Sequence, residues 1–398
     1  MKKTRCRACE SKLTPVFDLG RPHLANDFRR AGEGKAAAYP LKVLLCPKCH
    51  LAQLSVMVDP AILYSKYAYR SSESATMKAH FDTLYRDLKA YTPIKRVLEI
   101  GSNTGALLKR FTELGAGLVM GLDPAQNMVA IAQANFIRTI AGFFSKKWAE
   151  FYVGNIIPPD LILARHVFCH VDDWQDFIAG LELLATPETV VAIEVPYCND
   201  MLSTGAFDTI YHEHLSYMTI TAMDELLTNT GFELIALKFY PVLGSSILML
   251  LKLKGATVEG PVELQLELET AIDYALEWRL FGERVAGTMQ DLKNLVKTER
   301  GKGKIICGYG ASAKSSVWIN ACGFDRDDIA FITDTTPEKQ GTFSPGTLIP
   351  IVTPDRLKDA DLAILFAWNY EKEIIAQEKE FRAQGGKFII PVPALRVV

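Results

Sequence analysis

Four of the chain's eight cysteines fall into two identical pairs, Cys6-Arg-Ala-Cys9 and Cys46-Pro-Lys-Cys49. A two-residue gap lets a tight turn aim both sulfurs at one ion, and zinc prefers four thiolates in a tetrahedron. A redox pair would need only one such knuckle. Cys6, Cys9, Cys46 and Cys49 therefore read as a structural zinc site, with surface thiols or an iron–sulfur centre as the other chemistries open to the set. Four sulfurs close the shell, leaving no position for catalysis. His50, beside Cys49, reads as a neighbour rather than a ligand, and Cys169, Cys198, Cys307 and Cys322 sit in apolar stretches as buried filling.

A second group has the chemistry to move protons. Tyr211-His212-Glu213-His214 follows the apolar run Val190 to Val195, and His170 closes Arg165-His166-Val167-Phe168-Cys169-His170, just past Leu161 to Ala164. Near neutral pH a histidine can remove or return a proton, and an adjacent carboxylate can orient it. Taken singly, these histidines are satisfied loop residues. As a group they point to catalysis, with His214 as base, Glu213 beside it, and His170 and Tyr211 at the developing charge. A second metal is conceivable here, but His-Glu-His lacks the i, i+4 histidine pair of a zinc-protease helix.

Two glycine loops complete the chemistry-bearing set. In the first, Val97-Leu98-Glu99-Ile100 runs into Gly101-Ser102-Asn103-Thr104-Gly105 and then a helical pattern from Ala106 to Leu114. Gly101 and Gly105 permit close approach of a ligand at the carboxyl edge of a sheet, and Glu99 or Asp123, each ending a strand, can hold ribose hydroxyls. The spacing differs from the G-x-G-x-x-G of dinucleotide sites and resembles motif I of class I S-adenosylmethionine-dependent methyltransferases. In the second, Gly308-Tyr309-Gly310-Ala311-Ser312-Ala313-Lys314 also joins a strand to a helix. Its backbone N–H groups and Lys314 suit a phosphate, and because Asp334 follows the next strand a nicotinamide dinucleotide fits the same features.

The elements that must position these groups are αβ in character. Apolar strands at Arg96–Ile100, Gly117–Leu122, Leu161–Ala164, Val190–Val195 and Leu248–Leu253 alternate with helical segments, the pattern of a parallel sheet covered by helices. Pro261 opens a long helix to about Glu299, with Leu264, Leu268, Ile272, Ala275, Leu276 and Leu280 as its apolar stripe and Gly301 and Gly303 at its end. A second αβ series follows, with strands Lys304–Gly308, Ile329–Thr333, Leu362–Phe366 and Lys387–Ile390. Lys plus Arg total 44 and Asp plus Glu 46 among 398 residues, a net charge of -2 that offers no broad attraction to a nucleic-acid polymer. The most apolar stretch, Phe239 to Leu251, is too short to cross a bilayer, and no secretory leader opens the chain. A cytoplasmic enzyme, monomer or homodimer, acting on a small molecule is the expectation.

Assembled, these residues resemble the zinc-containing, S-adenosylmethionine-dependent sugar C-methyltransferases of deoxysugar biosynthesis, which act on nucleotide-linked 4-keto sugars. The resemblance spans the chain. It rests on both cysteine knuckles, Leu24-Ala25-Asn26-Asp27-Phe28, Tyr67-Ala68-Tyr69-Arg70-Ser71-Ser72, the Leu98–Gly105 loop, Tyr211–His214 and Gly308–Lys314. It implies an α/β protein of three parts: a zinc-binding module (1–65), a class I methyltransferase Rossmann-like domain (66–258), and a linking helix with a C-terminal Rossmann-like substrate domain (259–398). It implies S-adenosylmethionine at Tyr69, Ser71, Glu99, Gly101, Asn103, Gly105 and Asp123, with a nucleotide-linked keto-sugar at Tyr67, Gly308, Gly310, Ser312 and Lys314. Tyr211, Glu213, His214 and His170 would surround the carbon to be methylated. One departure stands out: the family's His-Gly-Gly-Ser-x-Arg type segment reads Leu243-Gly244-Ser245-Ser246-Ile247-Leu248 here. The other readings are an NAD(P)-dependent oxidoreductase using the Gly308–Lys314 loop and a non-catalytic zinc scaffold.

Overall fold

A computed structural model describes residues 3–33, 37–64, 74–155, 157–257 and 260–398. They build three sheets. The first is antiparallel, of β1 (Thr14–Asp18), β2 (Lys42–Leu45), β3 (Ala52–Leu54) and, from far along the chain, β9 (Ser216–Tyr217). β3 pairs with β9 through Ala52 opposite Tyr217 and Gln53 opposite Ser216.

The central sheet contains β4 (Arg96–Ile100), β5 (Leu118–Asp123), β6 (Thr139–Ala141), β7 (Leu161–Arg165), β8 (Val190–Pro196), β10 (Phe232–Tyr240) and β11 (Ser246–Leu253), in the order β10-β11-β8-β7-β4-β5-β6. β4 to β8 run parallel, whereas β11 is antiparallel to both its neighbours. The central strands are buried along nearly their whole length, as both-face burial in a parallel sheet requires. Each of the five expected strands is present. β6 and β10 were not expected. β10 hides its alternation because its register slips between Leu234 and Ala236.

The third sheet, β12 (Ile306–Tyr309), β13 (Ile332–Thr333), β14 (Ile351–Val352), β15 (Leu362–Leu365), β16 (Lys387–Ile390) and β17 (Arg396–Val397), is ordered β14-β13-β12-β15-β16-β17 and is parallel except for its last strand. Among the described residues no helix is long and apolar enough to cross a membrane.

The expected single helix after Pro261 is two helices, Gly260–Thr270 and Tyr274–Gly301. Asp273 caps the second by accepting the Leu276 N–H at 3.0 Å. Much of the expected stripe faces outward, with Leu264 and Leu268 more than half exposed, whereas Ile272 packs against the core and Leu280 is half-buried. Tyr274, Trp278, Phe281, Val285, Leu292 and Val296 are buried instead. Glu269 explains the rotation of the first helix. Its buried carboxylate accepts Tyr197 Oη at 2.7 Å and the backbone N–H groups of Ile220 (3.0 Å) and Thr221 (2.8 Å), so the face of Val262, Leu266 and Glu269 turns inward and Leu264 and Leu268 turn out.

The second and third sheets meet at Asp208, which has no exposed surface. Its Oδ2 accepts the indole N–H groups of Trp318 at 3.0 Å and Trp368 at 2.7 Å, and its Oδ1 accepts Lys314 Nζ at 3.0 Å. Removing one partner of a buried ion pair strands the other charge. Asp208→Ala should therefore cost about 3–5 kcal/mol of stability, read by denaturant unfolding, and adding Lys314→Met should recover part of it. A wild-type transition in Asp208→Ala would show that this contact is not made.

Candidate active site

The two cysteine knuckles fold alike. Glu10 N donates to Cys6 O and His50 N to Cys46 O, both at 3.0 Å, and Glu10 and His50 share the left-handed backbone (φ 58° and 62°) that closes a tight turn. Sγ separations are 3.4 Å for Cys6–Cys49, 3.5 Å for Cys9–Cys46 and 3.7 Å for Cys9–Cys49. Four sulfurs each about 2.3 Å from zinc stand about 3.8 Å apart in a tetrahedron, so the set fits the ion. His50 turns away and packs its ring 4.8 Å from Tyr274. The remaining four cysteines are buried and free.

A cavity of about 300 Å³ opens at the carboxyl ends of β4, β5 and β7. Gly101, Asn103 and Asp123 line it, together with Tyr64, Phe143, Arg165, His170 and Glu213. Gly101 has φ 71°, and a Cβ there would lie 2.1 Å from Val167. Asp123 Oδ2 accepts the Asn103 N–H at 2.8 Å and Oδ1 the Ala125 N–H at 2.9 Å. These bonds fix the loop and still leave lone pairs. Burial raises the Asp123 carboxyl above its ordinary range against those two N–H groups. Glu99 and Gly105 are not on the wall. Burial pushes Glu99 up to about 8, and Gly105 turns the chain into helix Ala106–Glu113 with φ 73°.

The Tyr211–His214 segment divides its side chains. Glu213 reaches the cavity, where Asn26 Nδ2 donates to both of its oxygens at 2.9 and 2.8 Å. Burial pushes its carboxyl up to about 7. His214 is bonded to Tyr211 and Thr209, not to Glu213. With its Nδ1 proton on Thr209 O at 2.8 Å, its Nε2 accepts Tyr211 Oη at 2.7 Å. Burial holds His214 well below its ordinary value, hence neutral. His170 lines the cavity with Nδ1 2.8 Å from Tyr64 Oη and its ring 5.0 Å from that of His214. Burial, then His166, lowers it to about 3. His212 points away, to Tyr39 O at 3.2 Å. Cys169, His170 and His214 bring ligand-type atoms within 4.8 Å of one another, but both imidazoles have these bonds and burial pushes the Cys169 thiol up to about 12.

The second glycine loop is satisfied from within. The Ala311 N–H bonds to Asp334 at 2.7 Å, Ser312 and Ser315 form a reciprocal cap, and Lys339 Nζ donates to Ala311 O at 2.8 Å. Lys314 bonds to Asp208 and, at 3.3 Å, to Thr209 Oγ1, and lies 4.8 Å from the Trp368 ring. Gly308, Gly310, Ser312 and Lys314 therefore lie at the junction of two sheets, outside the cavity wall. The departing segment Leu243–Leu248 begins with three left-handed residues, Leu243, Gly244 and Ser245, and Leu243 lines the cavity. Tyr67, Tyr69 and Ser71 fall outside the described residues. No spacing or residue pattern in the sequence marks a role for Asn26, Tyr64 or Arg165. Asn26 stands in the Leu24–Phe28 motif and Arg165 beside His166, and only the fold brings them to Glu213 and the cavity.

Three family descriptions match the chain in series: a zinc binding domain over residues 6–64, a methyltransferase domain over 77–237 and a C-methyltransferase C-terminal domain over 242–393. C-methyltransferase NovU of Streptomyces niveus is 32% identical over 405 aligned residues, covering 99% of this chain and 96% of that protein. The chain belongs to the zinc-containing, S-adenosylmethionine-dependent sugar C-methyltransferase family. Solved structures with some likeness include the PH0226 protein from Pyrococcus horikoshii OT3, at 15% identity, 47% of this chain, 95% of that one and TM-score 0.36. Another is magnesium protoporphyrin IX methyltransferase (ChlM) from Synechocystis PCC 6803, at 14% identity, 47% and 90% coverage and TM-score 0.36.

The protein is thus a methyltransferase with S-adenosylmethionine as cofactor and a structural zinc. One zinc per chain is expected by elemental analysis of purified protein, and Cys6→Ser with Cys49→Ser should release it and unfold the 6–64 segment. Protease resistance of that segment in the metal-free double variant would oppose a structural role.

Proposed function

We propose that the protein is a cytoplasmic enzyme that methylates the carbon next to the ketone of a nucleotide-linked keto-deoxysugar by way of an enolate. The observation that carries this reading is Glu213, a buried carboxyl on the cavity wall that burial pushes up to about 7. A base whose pKa lies near the working pH is both available and strong enough to take a carbon-bound proton. Glu213 removes that proton, and the electron pair moves onto the ketone oxygen. His170, also on the wall, is the hydrogen-bonding group for the developing enolate, and the Tyr211–His214 pair packs against it with the two imidazole rings 5.0 Å apart. A neutral imidazole suits that role, and burial keeps His170 neutral.

When bound, S-adenosylmethionine supplies a sulfonium methyl that a carbon nucleophile can take up. Gly101 and Asn103 are the residues to approach the cofactor, and the spare lone pairs of Asp123 would accept the ribose hydroxyls. The nucleotide-sugar assignment rests on family membership. Leu243 in place of the family's polar segment narrows the contacts left for a nucleotide. A cytoplasmic setting agrees with eight cysteines and no disulfide.

Asp123→Ala should weaken S-adenosylmethionine by roughly 1.5–3 kcal/mol in calorimetry, and unchanged affinity would move the ribose elsewhere. The mechanism is read by exchange of the α-hydrogen of nucleotide-linked 4-keto-deoxysugars with deuterated solvent, in the presence of S-adenosylhomocysteine. Glu213→Gln should slow exchange about a hundred-fold or more, and His214→Asn should slow it less. The wild-type rate should climb as pH rises through about 7, where Glu213 ionises, and level off above. Full exchange in Glu213→Gln, with loss in His214→Asn, would transfer the base role to the Tyr211–His214 pair.

A further inference from the structure

His166 directly follows β7 and lines the cavity, with 16% of its side chain exposed. Its backbone is left-handed (φ 52°), a conformation uncommon for a residue with a side chain and concentrated at functional sites. Its N–H donates to Glu194 O at 2.7 Å, which fixes it against the end of β8. The imidazole is held as well, with Nε2 3.4 Å from Ser246 Oγ and 3.6 Å from Glu194 Oε1. Glu194 has no exposed surface, and although burial disfavours its charge, the imidazoles of His166 and His80 keep it ionised. The Ser246 hydroxyl donates to Val242 O at 3.2 Å, so toward the imidazole its oxygen accepts. Both neighbours of Nε2 are acceptors, so the ring proton belongs on Nε2 and Nδ1 carries a bare lone pair. Burial lowers His166 below its ordinary value, against the opposing pull of Glu194, so the ring is neutral. Nδ1 has no hydrogen-bond partner among the described residues and, unlike Nδ1 of His50 and His212, is not buried.

We propose that His166 is a specificity-determining residue whose Nδ1 accepts a hydrogen bond from a hydroxyl of the methyl acceptor. The inference rests on the reading of that acceptor as a keto-sugar, and deepens it. The strands stand in the order β11-β8-β7-β4-β5. The ring leans from the end of β7 past Glu194 of β8 toward Ser246 of β11, away from Gly101 after β4 and Asp123 on β5, where the cofactor would lie. A sugar hydroxyl is the donor that this reading supplies at the far end. Glu194 and Ser246 act through the imidazole as positioning residues. They set its tautomer and its ring plane, so the acceptor atom is in place before the sugar arrives. A site built to take an O–H rejects an analogue without it, because the acceptor atom is then left unpaired.

The test is calorimetry on the full chain saturated with S-adenosylhomocysteine, using thymidine diphosphate-linked 4-keto-6-deoxyglucose and its 2-deoxy and 3-deoxy analogues. Wild type should bind one of the two analogues about ten- to hundred-fold more weakly than the parent. His166→Gly, which suits φ 52°, should abolish that preference. His166→Asn tolerates the same backbone and can present Oδ1 at the place of Nδ1, so it should keep part of the preference. His166→Phe replaces the glycine variant should that one fail to unfold cooperatively. S-adenosylmethionine affinity should be the same in all of them. The same preference in His166→Gly as in wild type, or no preference in wild type, would overturn the proposal. Binding of none of the three sugars by wild type would instead overturn the keto-sugar reading. Nitrogen NMR of the imidazoles, with His166 assigned by the signal lost in His166→Asn, then decides: a proton on Nδ1 sinks the acceptor role, and a bare Nδ1 upholds it.

Discussion

The short antiparallel pairing of β3 with β9 is the contact on which the site depends. Ser216 and Tyr217 come two and three residues after His214, so pairing them with Gln53 and Ala52 sets where the Tyr211–His214 segment can lie. Arg7 reinforces the seam, donating to Leu215 O at 3.2 Å and to Asp172 at 2.9 Å, while Asn26 of the same N-terminal part holds Glu213. From the other side Asp208 and Thr209 are gripped by Lys314. The Thr209 carbonyl in turn accepts a hydrogen bond from His214 Nδ1. The zinc knuckles flank β2 and β3, and so brace the sheet that positions the Tyr211–His214 segment.

This enclosure governs the electrostatics. Taking carboxyls and imidazoles out of water disfavours their charged forms, which raises Glu99 and Glu213 and lowers His170, His212 and His214. The folded chain keeps protons on Glu99 and Glu213 that the unfolded chain releases near its ordinary pKa. Their contribution to stability therefore falls as pH rises from about 4.5 toward 7 to 8, and is constant above that. Glu194 behaves in the opposite way: burial disfavours its charge, but the imidazoles of His166 and His80 outweigh this and keep it ionised. The same core thus holds one carboxylate charged and two carboxyls poised, according to which side chains face each.

Local pattern made much of this readable in the sequence. The cysteine knuckles, the five central strands and the Gly101–Gly105 turn depend on spacing over a few residues, and the fold keeps them. Long-range partners were not readable. Nothing near Asn26 shows that it meets Glu213, and nothing near Lys314 shows that it meets Asp208. The leucine stripe misled for the same reason, since the partners that draw Glu269 inward lie some fifty to seventy residues away. Adjacency in sequence suggests a His214–Glu213 pair, yet neighbouring side chains on an irregular segment point apart, and the partner of His214 is Tyr211.

The β3–β9 pairing also bears on how the chain is made. β3 leaves the ribosome about 160 residues before the strand that covers it. At roughly 5–20 residues per second this is an interval on the order of ten to thirty seconds. Throughout it, Ala52, Gln53 and Leu54, all buried in the finished protein, present an open strand edge. The nascent N-terminal part is thus open to wrong pairing with other chains until residues 216 and 217 emerge, and the strand that follows the Tyr211–His214 segment is what ends that exposure.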